Sequence, residues 1–143
     1  MQTTVAADLP TRLRLTITRA ARRLRQEADA GLSPSLTAAL STVERHGPLT
    51  PSRLAEIERI QRPTVTRLVA KLEAEGLVKR EADPDDGRVC HVAVTKEGRA
   101  LVKRLRSRKS AYLATRLRQL DEDELETLDR ATGILERILE DRE

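Results

Sequence analysis

Arg62, Thr64, Thr66, Arg67 and Lys71 crowd into one short stretch of this 143-residue chain. Guanidinium, ammonium and hydroxyl groups at that density are the donors that reach phosphate oxygens and base edges in a nucleic-acid groove. They do not make a catalytic set. Catalysis needs a nucleophile with a placed base, a metal site or a glycine-rich phosphate loop. The two histidines, His46 and His91, fall on separate elements, and Cys90 is the single cysteine. No metal-ligand spacing results, so no cofactor is expected, and the chain is not expected to be an enzyme.

The residues between the polar ones define the element that presents them. Val65, Leu68, Val69 and Leu72 recur at i, i+3, i+4 and i+7, one face of an α-helix. Pro63 suits a first helical turn, where its missing N–H has no partner to lose. Gly76 stands where a left-handed residue stops a helix. The spacing therefore predicts a helix over Gln61–Gly76 with its cations and hydroxyls turned outward. Taken alone, such a face is more simply an ordinary solvated one; the flanking sequence reverses that reading.

Upstream, Thr50-Pro51 is a capping hydroxyl followed by proline, the start of a short helix in which Leu54, Ala55 and Ile57 look inward. Two short helices joined by a tight turn make a helix-turn-helix. Downstream the period falls from 3.6 to 2. Leu77–Glu81 reads as a strand, Asp83-Pro84-Asp85-Asp86-Gly87 as a turn, and a second strand runs from Arg88 or Val89 to Val94. A hairpin in that position is a wing, with Arg88 at its mouth within reach of a minor groove; the plain alternative is a surface hairpin. Cys90 reads as a small core side chain rather than a redox switch.

The outer segments supply the rest of the frame. Residues 1 to about 8 lack periodicity and read as a loose arm. Leu13, Ile17, Ala20, Ala21, Leu24 and Ala28 stripe a first helix whose other faces carry Arg12, Arg14, Arg19, Arg22, Arg23 and Arg25, and Gly31 ends it. Ser33-Pro34 restarts a second helix through Leu36, Ala39, Leu40 and Val43. Thr95 caps a segment of about 24 residues threaded by Leu101, Val102, Leu105, Tyr112, Leu113, Leu117 and Leu120. Asp121-Glu122-Asp123-Glu124 opens a last helix with Leu125, Leu128, Leu135, Ile138 and Leu139 on one side. The expected fold is mainly α with a small β-hairpin wing, as one domain over 1–143. A winged helix-turn-helix lobe (33–95) joins N- and C-terminal helices (9–30 and 96–143). A small lobe cannot cover those outer stripes, so they are expected to bury one another across a two-fold axis, making a homodimer.

Composition agrees. Tyr112 is the only aromatic, which argues against base-stacking platforms. The net charge of +4 is unevenly spread: residues 53–109 hold 15 Lys/Arg against 9 Asp/Glu, and residues 121–143 hold 3 against 10. A basic middle points to a polyanion and an acidic end does not. Arginine supplies 22 of the 27 basic residues; a GC-rich genome gives the same skew, so this carries little weight. No apolar run nears the roughly 20 residues of a membrane span, and no signal-peptide core is present; a cytoplasmic protein with no membrane partner is expected.

At this point the chain resembles the MarR-type (multiple antibiotic resistance regulator) transcription factors over essentially its whole length. The likeness rests on Leu54-Ala55, on Arg62-Pro63-Thr64-Val65-Thr66-Arg67-Leu68-Val69, and on Leu72-Glu73-x-x-Gly76-Leu77-Val78-x-Arg80. Asp83-Pro84-Asp85-Asp86-Gly87-Arg88 and Val92-x-Val94-Thr95-x-x-Gly98 complete it. The resemblance implies a homodimeric repressor or activator reading a pseudo-palindromic operator in double-stranded DNA, most simply a repressor released by a small phenolic or anionic effector. It implies a dimer interface of first and last helices. By position, Arg62, Thr64, Thr66, Arg67 and Lys71 face the major groove and Arg88 the minor groove. Arg80 and Asp86 brace the wing by ion pairing, and Ser35, Thr37 and Ser52 offer phosphate contacts near helix N-termini. Any effector pocket would be lined by Leu, Ile and Ala of the first, second and fifth helices, with an arginine for a carboxylate. Three residues depart from the pattern: Arg59 where the turn often has glycine, Gln61 in place of a serine-type cap, and Gly87 in place of a second wing arginine. The N-terminal cysteine of peroxide-sensing relatives is absent. A reading from another class stays open, a helical protein-interaction module whose winged helix does not read DNA; the basic middle region opposes it.

Overall fold

Ser33 and Thr50 each precede a proline, and each starts a helix. In the computed structural model, which describes residues 2–140 with side chains from residue 7 onward, eight elements follow in order. They are α1 (Gln2–Glu27), α2 (Pro34–His46), α3 (Pro51–Glu58), α4 (Arg62–Ala74), β1 (Val78–Ala82), β2 (Cys90–Val94), α5 (Lys96–Leu117) and α6 (Glu122–Leu139). Ser33 Oγ accepts the Leu36 N–H at 3.2 Å, Thr50 Oγ1 the Arg53 N–H at 3.2 Å, and Thr95 Oγ1 the Gly98 N–H at 3.0 Å. Each bond satisfies an amide that the first helical turn leaves without a partner. Asp121 and Glu124 complete a reciprocal capping box at the start of α6.

The expected loose arm is instead the first part of α1, which begins at Gln2 and carries Pro10 inside it. A helix once nucleated grows by one hydrogen bond per residue and needs no apolar stripe to do so. Aperiodicity therefore misreads such a segment.

One core joins α2, α3, α4, the hairpin and the start of α5. Leu40, Leu54, Leu72, Val43, Val65, Val78 and Val92 are fully buried, each large side chain contributing roughly 2 kcal/mol by removal from water. The strands pair antiparallel with Val78 opposite Val94 and Ala82 opposite Cys90. The free edge of β2 also receives Leu49, through Leu49 N–H to Val92 O (3.1 Å) and Val92 N–H to Leu49 O (2.8 Å). A single paired residue leaves no alternation to read, so this third short piece of sheet escapes sequence analysis.

The outer helices behave differently. Arg106 Nη2 on α5 reaches Glu44 Oε2 on α2 at 2.9 Å. Tyr112 of α5 meets α1: its hydroxyl accepts Nε–H bonds from Arg23 (3.1 Å) and Arg116 (3.2 Å), with both guanidinium groups over its ring. The Arg23 hydrogen bond, with help from Arg116, holds the Tyr112 phenol below its ordinary pKa despite partial desolvation. None of the described residues of α6 is buried, and Leu125, Leu128, Ile134, Ile138 and Leu139 stand 38–68% exposed. Its stripe is complete, and the described residues leave most of it uncovered.

Candidate nucleic-acid interface

The turn that sets α3 against α4 runs through Arg59. This residue adopts φ 53°, ψ 46°, the left-handed conformation glycine usually supplies, and Ile60 N–H closes the turn on Ala55 O at 3.1 Å. The turn thus keeps its shape with an arginine in it. Gln61 caps α4 with its backbone carbonyl alone, receiving the Thr64 and Val65 amides at 3.0 and 3.1 Å. Gly76, at φ +73°, ends the segment. Pre-set φ at Pro63 and buried Val65, Val69 and Leu72 hold a helix that no side chain caps.

At 100° per residue, the line of α4 opposite its buried face passes through Pro63, Arg67, Ala70 and Ala74. Arg67 and Lys71 are exposed, and neither has an ion-pair partner among the described residues. Arg62 and Thr66 flank the line on the wing side. Arg62 donates from Nη1 to Ser52 Oγ at the start of α3, which joins two of the residues expected to meet DNA. The Thr66 hydroxyl donates to Arg62 O at 3.1 Å, so its lone pairs point outward as acceptors. Thr64 lies elsewhere. It is half-buried on the opposite flank and, with Leu68, walls a cleft facing α1 and α2. Ser35 and Thr37 line the same cleft, and the Thr37 hydroxyl is turned back to Ser33 O at 3.1 Å. Small Ala70, which lets a backbone approach closely on the outermost line, was not picked out from the sequence; neither was Pro63 as a surface residue.

The wing lies beside Arg62 and Thr66. Arg80 Nε pairs with Glu73 Oε2 at 3.4 Å, tying β1 to the last turn of α4. Asp86 Oδ1 accepts from Arg88 N–H (3.0 Å) and Nε–H (3.2 Å), leaving a side chain 93% exposed at the tip. Arg80 and Asp86 thus each make an ion pair at the hairpin. A third contact was missed. His91 Nε2 lies 2.7 Å from Asp83 Oδ2, while Asp83 Oδ1 accepts the Asp85 and Asp86 amides at 2.8 and 3.0 Å. The His91 bond, followed by those amides, holds the Asp83 carboxyl below its ordinary pKa. Cys90 is half-buried and lines a cleft of about 220 Å³ between α4 and the hairpin, with Arg62, Thr66 and Arg80.

Two neighbouring clefts lie between this lobe and α1. One, of about 290 Å³, is lined by Arg22, Arg25, Leu32, Leu105 and Lys109; the other, of about 580 Å³, by Ala21, Leu24, Ala38, Thr64 and Leu68. Arg25, Pro34, Thr37 and Lys109 belong to both.

A tight helix pair with an exposed cationic second helix, flanked by a braced hairpin, defines a winged helix-turn-helix protein. Comparison with known proteins gives the family. The MarR family profile matches residues 32–90. The HTH-type transcriptional regulator ML2140 of Mycobacterium leprae is 35% identical over 136 residues, covering 94% of this chain and 95% of its own. A transcriptional regulator from Pseudomonas aeruginosa superposes with a TM-score of 0.86 at 32% identity, covering 96% of this chain and 97% of that one. A Staphylococcus aureus MepR mutant, solved bound to an oligodeoxyribonucleotide, shares the fold at a TM-score of 0.72 and 23% identity, covering 91% of this chain and 97% of its own. The chain belongs to the MarR family and is a DNA-binding transcriptional regulator. Among the described residues, no helix is long and apolar enough to cross a membrane.

Proposed function

We propose that the protein is a homodimeric, cytoplasmic repressor that reads a pseudo-palindromic operator and is released by a small anionic or phenolic effector. The observation that carries DNA reading is the unneutralised Arg67–Lys71 face of α4 beside a wing whose tip is Arg88. In this reading Arg67, Thr66 and Arg62 reach the major groove, and Lys71 and Ser52 contact phosphates from either side. Arg88 enters the minor groove. Thr64, Ser35 and Thr37 belong to the cleft instead.

The uncovered stripe of α6 supports the dimer. Charge indicates how the helices meet. Six arginines against two acids give α1 a balance of +4; six acids against two arginines give α6 −4. Setting α1 of one protomer along α6 of its partner opposes unlike charges around an apolar seam, whereas pairing each helix with its own copy would oppose like charges. Two recognition helices would then sit one helical turn apart, about 34 Å. The two clefts support effector control, since Arg25 and Lys109 offer cations to a carboxylate and two residues of α4 form a wall.

Fluorescence anisotropy with the duplex upstream of the protein's own gene, against a scrambled duplex at two salt concentrations, tests the reading. Tight binding that weakens as salt rises, with a preference of at least ~10³-fold for the upstream duplex, is expected. Equal weak binding to both duplexes would overturn it in favour of an interaction module.

A further inference from the structure

We infer that His91 is a positioning residue for the wing: acting through Asp83, it fixes the turn that presents Arg88 to the groove. This rests on the proposed role of Arg88 in DNA binding. The hydrogen bonds form one continuous chain. His91 Nε2–H donates to Asp83 Oδ2 at 2.7 Å, and Asp83 Oδ1 gathers the Asp85 and Asp86 amides at 2.8 and 3.0 Å. The carboxylate of Asp86, placed by that amide, accepts the backbone N–H and the Nε–H of Arg88 at 3.0 and 3.2 Å. Asp83 N–H to Val89 O (2.9 Å) and Val89 N–H to Asp86 O (3.0 Å) close the turn behind it.

Two further observations single out His91. Its other ring nitrogen, Nδ1, is buried with no hydrogen-bond partner among the described residues. A buried polar atom left unpaired is a cost that an apolar side chain would avoid, and it offsets part of what the Asp83 bond contributes to the hairpin. The turn also carries three carboxylates, Asp83, Asp85 and Asp86, against one arginine. A wing approaching phosphates with such a turn needs its acids held back. Asp86 is turned onto Arg88, and Asp83 is occupied from both sides by N–H donors, one of them from His91.

The test is a double-mutant cycle on operator binding, read by anisotropy with the upstream duplex. His91→Leu should weaken binding about 3–10-fold in the wild-type background and less than about 2-fold in Arg88→Ala, because a residue acting through Arg88 has nothing left to position. His91→Gln, whose amide can donate to Asp83, should recover much of the loss. His91→Leu should stay folded, with its urea midpoint lowered by the same amount in both Arg88 backgrounds, so that the cycle in binding separates positioning from folding. Equal losses in both backgrounds, or no loss while Arg88→Ala weakens binding, would overturn the inference and leave the DNA reading intact. If the wild type showed no preference for the duplex, or Arg88→Ala had no effect, the DNA reading or the wing assignment would fail, and this inference with it.

Discussion

A methyl group added at Gly98 would fall 2.1 Å from the Leu77 carbonyl oxygen, 2.9 Å from Val94 Cγ2 and 3.0 Å from the Leu77 carbonyl carbon. The junction has little freedom to yield. Leu77 O already accepts the Thr95 N–H at 3.0 Å, the Thr95 hydroxyl donates to Gly76 O at 2.6 Å, and Leu77 and Val78 are buried. Restoring ordinary contact requires a backbone shift of about 1 Å where α5 meets the first wing strand. Overpacking of this kind costs roughly 1–3 kcal/mol, and a strained hydrogen bond adds about 1 kcal/mol. Gly98→Ala should therefore destabilise by about 2–4 kcal/mol, a large share of the 5–15 kcal/mol typical of a domain. Gly133→Ala is the matched control. It adds the same methyl on the polar face of α6 with nothing within 4 Å, and helix propensity predicts a gain of about 0.5–1 kcal/mol. Urea unfolding of both variants at one protein concentration, which holds any dimer contribution fixed, measures the pair. A loss below about 1 kcal/mol for Gly98→Ala would refute the tight approach of Gly98 to Leu77.

Four further substitutions test other parts of the molecule. Arg67→Ala should cost roughly 1–3 kcal/mol of operator binding and relax base preference at one position, while Arg88→Ala should flatten the salt dependence by about one phosphate contact; anisotropy across salt and operator variants reads both. Leu128→Asp, in the exposed stripe of α6, should convert a dimer to monomer in sedimentation velocity and abolish tight operator binding; an unchanged sedimentation coefficient would remove α6 from the interface. Because the folded-state pKa of Asp83 is depressed, its contribution to stability is present above the unfolded pKa and is lost as pH falls through the folded value. Asp83→Asn should accordingly flatten the acid limb of stability against pH, measured by urea midpoints between about pH 5 and pH 2.

The lobe was legible because its signals are local and agree with one another. Hydroxyl-proline pairs mark Ser33 and Thr50, the period changes after Gly76, and every apolar position assigned to the second helix is buried. The features that were not legible depend on register or on orientation around a helix. His91 meets Asp83 because Asp83 stands opposite Val89, which places His91 diagonally across on the same face; no spacing rule within one strand contains that pairing. Thr64 differs from Thr66 by 200° around α4, so a list of polar residues joins what the helix separates.

Arg59 and α6 mark the two limits of such reading, for opposite physical reasons. At Arg59 the local preference runs against the conformation, since a left-handed non-glycine residue costs roughly 1–2 kcal/mol. The turn forms nonetheless, because it is fixed from outside itself: Leu54 and Ala55 before it and Val65 after it are buried in one core. A strain of that size cannot displace three core side chains. At α6 the local preference is fully met, with a reciprocal cap and a continuous stripe, yet no described residue of the helix is buried. A pattern specifies its own face but not what covers it. In the proposed dimer that cover is a second copy of this chain: the acidic rim of α6 has the sign that suits the arginines of α1, and charge of that kind selects a partner which the apolar pattern alone leaves open.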